Sequence, residues 1–217
     1  MPTRLALGFE RITHMSHQPT PVLEVAVFTV RAPESFPAIQ RQTHDLFAAL
    51  DGHRTGLRLR GMTDGLFADL VAWDSLEAAR QASNTAREDP RFAALMASIA
   101  ELKLYAHYQP GVDTAALLAS LRRAPVVEVA AYAVRDVAVH LDVHARVHGA
   151  LRALAGHRGG APAHQLEDQA QFADLIGWES AEAHQRAGAA LQERGDLAAF
   201  FSGIGEMKVF ELFSVLG

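Results

Sequence analysis

The pattern of apolar and polar positions predicts the same succession of elements twice along the chain. Residues 22–31 are β-branched and apolar at both parities, which is typical of a strand covered on both faces. Apolar residues then recur at three- and four-residue steps up to Leu50, and Gly52 follows as a helix stop. Strands are predicted over 57–62 and 67–73, a long helical region over 75–100 and a closing strand over 101–108. This β-α-β-β-α-β order is that of a ferredoxin-like unit.

The second half of the chain repeats this pattern about 105 residues later. Residues 67–78 (FADLVAWDSLEA) and 172–183 (FADLIGWESAEA) are identical at eight of twelve positions. A period of this length is typical of a duplicated small domain and not of a solenoid repeat. We therefore predict an N-terminal extension at 1–21, a first repeat at 22–108, a linker with a short helix at 109–125 and a second repeat at 126–217.

The composition of the chain excludes several classes of binding partner and of chemistry. The 217 residues carry a formal net charge of −5 with no block of like charges, which argues against nucleic acid and anionic membranes as partners. No apolar run approaches the length of a membrane span, and residues 1–20 do not have the pattern of a secretion signal. The chain has no cysteine, so disulfides, thiolate catalysis and cysteine-ligated metals are excluded. We expect a cytoplasmic protein.

The residues at the junction between the third strand and the following helix resemble a known family. Both repeats carry Trp-(Asp/Glu)-Ser-x-Glu-Ala, at 73–78 and 178–183. In a unit of this size, the motif is similar to the dimeric α+β barrel superfamily, and in particular to domains of the antibiotic biosynthesis monooxygenase (ABM) type. The resemblance implies an α+β fold in which two ferredoxin-like βαββαβ repeats pack sheet to sheet. One chain would thus form a pseudo-dimeric barrel, which agrees with strands that are apolar on both faces.

Members of this superfamily hold a ligand between the sheet and the helices, and some oxidise it without a cofactor. The resemblance therefore implies a small aromatic or apolar ligand and no organic cofactor. We expect a pocket formed by Phe28 and Trp73 in the first repeat and by Tyr132 and Trp178 in the second. The alternative for both tryptophans is a role as core aromatic residues that seal the sheet against a helix.

Four titratable residues are candidates for proton transfer. His44 and His148 occupy matching positions on the flank of the apolar stripe of the first helix in each repeat. Glu24 and Glu128 lie near the start of the first strand, where a desolvated carboxylate beside a pocket can act as a base.

Other polar residues favour structural roles. His140, His144 and His148 follow one another at four-residue spacing and are weak candidates for metal ligands, but no motif carboxylate or cysteine accompanies them, so no metal is predicted. Two sets of residues are expected to form ion-pair networks at one end of the sheet: Arg31, Asp69 and Lys103, and Arg135, Asp174 and Lys208. His53-Arg54 and His157-Arg158 are expected in loops after helix-stopping glycines.

Two other functions remain open. One is a ligand-binding or stress-associated barrel without catalysis. The other is a haem protein, with His184 as the candidate ligand. Haem-degrading relatives have an asparagine on the first strand and a histidine well into the second helix, and this sequence has no asparagine on either first strand. The chain is expected to act as a monomeric pseudo-dimer or as a homodimer of it.

Overall fold

The computed structural model describes residues 20–217, so most of the predicted extension at 1–21 lies outside it. The elements of the first half are β1 (Val22–Val30), α1 (Phe36–Phe47), β2 (His53–Gly61), β3 (Leu66–Trp73), α2 (Leu76–Glu88), α3 (Ala93–Ser98) and β4 (Ile99–Pro110). A connecting helix, α4 (Thr114–Leu121), follows. The second half contains β5 (Val126–Val134), α5 (Val137–Leu151), β6 (His157–Gln165), β7 (Gln171–Trp178), α6 (Ala181–Gln192), α7 (Ala198–Gly203) and β8 (Ile204–Val215).

The eight strands form one closed antiparallel barrel in the order β1-β3-β2-β8-β5-β7-β6-β4. Within each half, the first and third strands are central, as predicted for a ferredoxin-like unit. The halves join through two short ladders, in which Leu59 of β2 pairs with Val215 of β8 and Tyr108 of β4 pairs with Gln165 of β6. The predicted α+β fold, with two ferredoxin-like repeats packed as a pseudo-dimeric barrel, is confirmed.

Strand alternation divides the core into the barrel interior and two outer layers. In β1, Leu23, Val25 and Val27 point into the barrel and are fully buried, whereas Glu24 and Phe28 belong to the outer face. The interior cluster also includes three leucines of α4, which therefore closes part of the barrel. Helices α1 to α3 cover the outer face of one half, and α5 to α7 cover the other. Polar residues on the outer face are thus buried beneath helices.

The motif shared by the two halves contains a helix N-cap. The hydroxyl of Ser75 accepts a hydrogen bond from the Ala78 backbone N–H at 3.1 Å, and Ser180 accepts one from Ala183 at 3.2 Å. A serine in this position satisfies a backbone donor at the start of the helix. The motif therefore fixes where α2 and α6 leave the sheet, directly after the tryptophans.

The prediction of loops at His53-Arg54 and His157-Arg158 was wrong. These residues begin β2 and β6, because the preceding Gly52 and Gly156 take positive φ angles of 78° and 88° and turn the chain directly into the strand. His53 pairs with Trp73, so the first residues of β2 extend the ladder to the last residue of β3.

Candidate functional site

An equivalent cavity lies in each repeat, between the outer face of the sheet and its covering helices. The cavity of repeat 1 has a volume of about 180 Å³ and that of repeat 2 about 220 Å³. Four matched pairs of residues from the two central strands line them: Glu24 and Glu128, Ala26 and Ala130, Phe28 and Tyr132, and Asp69 and Asp174. Both cavities are therefore mainly apolar, with carboxylates in the floor.

Each cavity exists because the cross-strand pair at the centre of the outer face of the sheet consists of two short side chains, an alanine and an aspartate. In the β5–β7 ladder Ala130 is paired with Asp174, and in the β1–β3 ladder Ala26 is paired with Asp69. Larger residues flank these positions, such as Tyr132 opposite Phe172. Neither alanine reaches the helices, so the space above it stays open.

Glu128 forms one polar end of the repeat 2 cavity. It is 7% exposed, and its Oε2 accepts a hydrogen bond from the indole N–H of Trp178 at 2.9 Å. His184 of α6 brings Nε2 to 3.4 Å from the same oxygen. Burial raises the pKa of Glu128 to about 7; the bond from Trp178 acts against this increase and the charge of Asp174 adds to it. Glu128 can therefore exchange a proton near neutral pH.

Asp174 forms the other polar end and accepts three hydrogen bonds. Its Oδ1 lies 2.7 Å from Nε2 of His144 and 2.6 Å from Nε2 of His148, and its Oδ2 accepts the hydroxyl of Tyr132 at 2.8 Å. Burial alone would raise the pKa of Asp174, but the bonds from the two histidines hold it well below its usual range. Burial and the adjacent carboxylate raise the pKa of Tyr132. Asp174 thus remains a carboxylate beside a phenol that keeps its proton.

His140 does not join this cluster. Its ring packs on Phe172 and Phe200, with centroid distances of 4.4 and 5.4 Å, and neither ring nitrogen has a hydrogen-bond partner among residues 20–217. Burial, with the neighbouring histidines, lowers its pKa to about 4. Among the three weak metal candidates, only His144 and His148 converge, and the carboxylate beside them is Asp174, which is distant in sequence and forms no sequence motif with them.

In repeat 1 the corresponding carboxylates have other partners. Glu24 accepts the hydroxyl of Tyr105 at 2.9 Å and lies 3.5 Å from His107. His107 also contacts Glu167 at 2.7 Å. Burial alone would lower the pKa of His107, but its contacts with the two glutamates raise it. Glu24 is thus held by donors that repeat 2 lacks, because Phe210 and Leu212 occupy the equivalent positions.

Asp69 in repeat 1 has two side-chain donors where Asp174 has three. Its Oδ1 accepts the amide of Gln40 at 2.8 Å and lies 2.7 Å from Nε2 of His44. Phe28 stands where repeat 2 has Tyr132, so no phenol reaches the second oxygen. His44 and His148 therefore contact the cavity-lining aspartates and do not themselves line the cavities.

The predicted ion-pair networks around Asp69 and Asp174 do not form. Arg31 donates to the backbone carbonyls of Ala97 and Ile99, and Lys103 pairs with Glu101 at 3.3 Å. The matching Arg135 and Lys208 contact the Ser202 carbonyl and Glu206. The cations can satisfy their charges at the surface, whereas the aspartates are buried beneath the first helix of each repeat.

The two tryptophans differ in their surroundings. Trp178 lines the cavity and donates to Glu128. Trp73 is fully buried against Phe47 and His53, lies outside the cavity wall, and its indole N–H has no partner within 20–217. Of the predicted pocket residues, Phe28, Tyr132 and Trp178 therefore line a cavity.

Sequence reasoning missed the aspartates as cavity residues, although a signal was present. Asp69 has the same strand parity as Phe67 and Trp73 and must therefore face the helices. Gln40 and His44, four residues apart on α1, present donors on one helix face. Tyr105 and His107 were also missed, and they share one face of β4.

Comparisons with known proteins establish the fold. No protein-family model matches the chain, and no curated protein matches it significantly in sequence. An anthrone oxidase-like protein superposes with a TM-score of 0.70 at 11% identity, over 92% of this chain and 93% of that one. A candidate monooxygenase from Fusobacterium nucleatum gives 0.64 at 8% identity, over 92% and 94%. A variant of chlorite dismutase from Candidatus Nitrospira defluvii gives 0.61 at 11% identity, over 92% of each chain.

The likeness establishes the fold, a closed α+β barrel built from two ferredoxin-like halves. At these identities, the likeness extends to the barrel and not to the reaction. Within the described part of the chain, no helix is both long and apolar enough to cross a membrane.

Proposed function

We propose that the cavity of repeat 2 binds a small aromatic or apolar molecule and oxygenates it with O₂, without an organic cofactor, as in ABM-type barrels. The observation that carries this proposal is Glu128, a buried carboxylate in the wall of a mainly apolar cavity. Its neighbours Trp178 and His184 orient it and line the same cavity. The names of two neighbours in fold, an anthrone oxidase-like protein and a candidate monooxygenase, agree with this class of chemistry.

The size of the cavity limits the substrate. Its volume of about 220 Å³ lies below the roughly 300–1,000 Å³ that is usual for pockets holding drug-sized molecules. Side chains such as Ile176 and Phe200 form the apolar wall, and Glu128 and Asp174 mark the polar ends. We therefore propose a flat substrate of one or two rings that carries a polar group.

Glu128 acts as the general base in this proposal. A base operates best when its pKa is near the working pH, and the pKa of Glu128 is about 7. The groups that face it are the indole of Trp178, the imidazole of His184 and the charge of Asp174. The carboxylate takes a proton from an activated C–H group, and the electron pair of that bond remains on the substrate as a delocalised carbanion.

The carbanion then reacts with O₂, which serves as the oxidant. A C–O bond forms, the resulting peroxide anion takes up a proton, and the O–O bond breaks with loss of the second hydrogen from the same carbon. A CH₂ group and O₂ thus become a C=O group and water. Only substrates that stabilise a carbanion can follow this route, such as phenol-conjugated or enolisable aromatic compounds.

The test is oxygen uptake with a panel of enolisable aromatic ketones and naphthols of one to three rings, anthrone included. We expect turnover with one- or two-ring compounds and one ¹⁸O atom per product molecule from ¹⁸O₂. Glu128→Gln should reduce kcat at least about 100-fold, as expected for loss of a general base. Glu24→Gln is the matched control in repeat 1 and should retain activity. Equal activity of Glu128→Gln and the wild type would refute the role of Glu128.

For repeat 1 we propose ligand binding without catalysis. Glu24 accepts the hydroxyl of Tyr105 and lies beside His107, so the groups that would meet a substrate there differ from the Trp178 and His184 beside Glu128. Isothermal titration with an aromatic ligand of the panel tests this, because two binding events and one catalytic site per chain are expected.

Haem does not fit the repeat 2 cavity. His184, the candidate ligand, lies in the wall of a space of about 220 Å³, and pockets for molecules of at least drug size are typically larger than about 300 Å³. Its Nε2 is directed at Glu128, 3.4 Å away. Titration with haem should therefore give no Soret shift of a histidine-ligated complex.

A further inference from the structure

The cluster around Asp174 contains more metal-ligating atoms than packing requires. One carboxylate oxygen of Asp174 and the Nε2 atoms of His144 and His148 all lie within 4.8 Å of one another. The three residues are 4% to 5% exposed. The hydroxyl of Tyr132 lies 2.8 Å from the other oxygen of Asp174 and 3.3 Å from Nε2 of His144. N and O atoms of four side chains thus lie together at this end of the cavity.

Repeat 1 shows which side chains occupy the equivalent positions when their role is packing alone. There, Gln40 and His44 satisfy Asp69, and Phe28 fills the remaining space without a polar atom. Repeat 2 differs at two of these four positions, with His144 in place of Gln40 and Tyr132 in place of Phe28. The first difference introduces an imidazole, a common metal ligand, and the second introduces a hydroxyl, and both groups are directed at the same aspartate.

We propose that Asp174, His144 and His148 form a binding site for a first-row divalent transition metal, with Zn²⁺ as the reference ion. Two imidazoles and a carboxylate are a donor set for Zn²⁺ or Fe²⁺ and not for Ca²⁺ or Mg²⁺, which prefer oxygen ligands alone. His144 and His148 lie one helical turn apart on α5, a spacing that allows two imidazoles to bind one ion. The Tyr132 hydroxyl lies beside this set, 3.3 Å from Nε2 of His144.

The site needs little rearrangement to accept an ion. Tetrahedral Zn²⁺ with N and O ligands at ~2.0–2.2 Å separates neighbouring donors by roughly 3.3 Å. The Asp174–histidine contacts are 2.6 and 2.7 Å, so each ring must withdraw by roughly 0.6–0.7 Å as its Nε2 proton is replaced by the metal. The inference does not rest on oxygenation, because the base proposed for that reaction is Glu128.

The experiment compares tag-free wild type with His144→Gln. Glutamine already occupies the equivalent position of repeat 1 and hydrogen-bonds to Asp69, so the variant should fold. We expect one equivalent of Zn²⁺ per wild-type chain after dialysis, measured by inductively coupled plasma mass spectrometry. Affinity should be at least about 100-fold weaker in His144→Gln, since a direct ligand is lost. Because the chain has 11 histidines, equal zinc content in the two proteins would mean binding elsewhere and overturn the proposal.

A second measurement needs no variant. Co²⁺ replaces Zn²⁺ in tetrahedral sites and then absorbs visible light through d–d transitions that the hydrated ion shows only weakly. Titration of the wild type with Co²⁺ should produce these bands with saturation at one equivalent, and Zn²⁺ should abolish them. Absence of the bands at saturating Co²⁺ would overturn the proposal.

Discussion

Replacement of Glu128 by glutamine is expected to stabilise the protein above neutral pH while it removes the base of the proposed reaction. The pKa of Glu128 is about 7 in the folded protein, compared with an ordinary value of 4.5. A difference of about 2.5 pH units corresponds to about 3 kcal/mol at 1.36 kcal/mol per unit. Glutamine keeps an oxygen that accepts the indole N–H of Trp178 and carries no charge to bury.

The sign of the pH dependence follows from proton binding. Between pH 4.5 and 7, the folded state holds a proton on Glu128 that the unfolded state has lost, so the stability of the wild type falls as pH rises. Below pH 4.5 the carboxyl group is protonated in both states and imposes no cost. The difference between Glu128→Gln and the wild type should therefore be under about 1 kcal/mol at pH 5 and should reach about 3 kcal/mol at pH 8.5.

Urea unfolding at pH 5 and pH 8.5, monitored by tryptophan fluorescence and far-ultraviolet circular dichroism, measures this difference. Glu24→Gln is the control, because Glu24 is equally placed on its strand but accepts the Tyr105 hydroxyl. It should be no more stable than the wild type at pH 8.5. If the stability difference between Glu128→Gln and the wild type is the same at both pH values, the reasoning from a buried charge is wrong.

Two further pairs of variants test the asymmetry between the repeats. Trp178→Phe removes a hydrogen bond to a buried carboxylate, whereas the indole N–H of Trp73 has no partner within the described residues. Trp178→Phe should therefore lower the free energy of unfolding by about 1.5–3 kcal/mol more than Trp73→Phe. Similar unfolding midpoints of the two variants would contradict this. Ala130→Leu should fill the repeat 2 cavity and abolish turnover of the aromatic panel with an unchanged melting temperature. Ala26→Leu should leave that turnover intact. Loss of activity in both variants would contradict the assignment of the reaction to the repeat 2 cavity alone.

The fold could be predicted from sequence because its signals are repeated and local. Apolar strands at both parities, glycines after the first helices and the Trp-x-Ser motif occur in each half, so each prediction is supported twice. The predicted limits of the elements were less accurate. Strand β2 begins at His53 and not at Leu57, because Gly52 takes a positive φ angle and leads directly into the strand. Periodicity reports which face is buried but not where a ladder ends.

The candidate site was only partly predictable, because its contacts join elements that are distant in sequence. Glu128 and Tyr132 were recognised from their positions on one strand. The predicted partners of Asp174, Arg135 and Lys208, were wrong, because opposite charge does not show on which face of the sheet a side chain lies, whereas strand parity does. Parity places Asp174 beneath α5, where His144 and His148 are nearest. The contact between Trp178 and Glu128 depends on side-chain conformation, which a single sequence does not predict.

The environments of the paired glutamates are the strongest argument that the repeats have separate roles. Repeat 1 surrounds Glu24 with Tyr105 and His107, whereas repeat 2 has phenylalanine and leucine at the equivalent positions. A core that served packing alone would be more stable with glutamine in place of Glu128, by about 3 kcal/mol at alkaline pH. Repeat 2 instead keeps an incompletely compensated carboxylate in the wall of the larger cavity. Strain of this kind is expected where a group must exchange a proton with a bound molecule, and the stability difference at pH 8.5 would measure it directly.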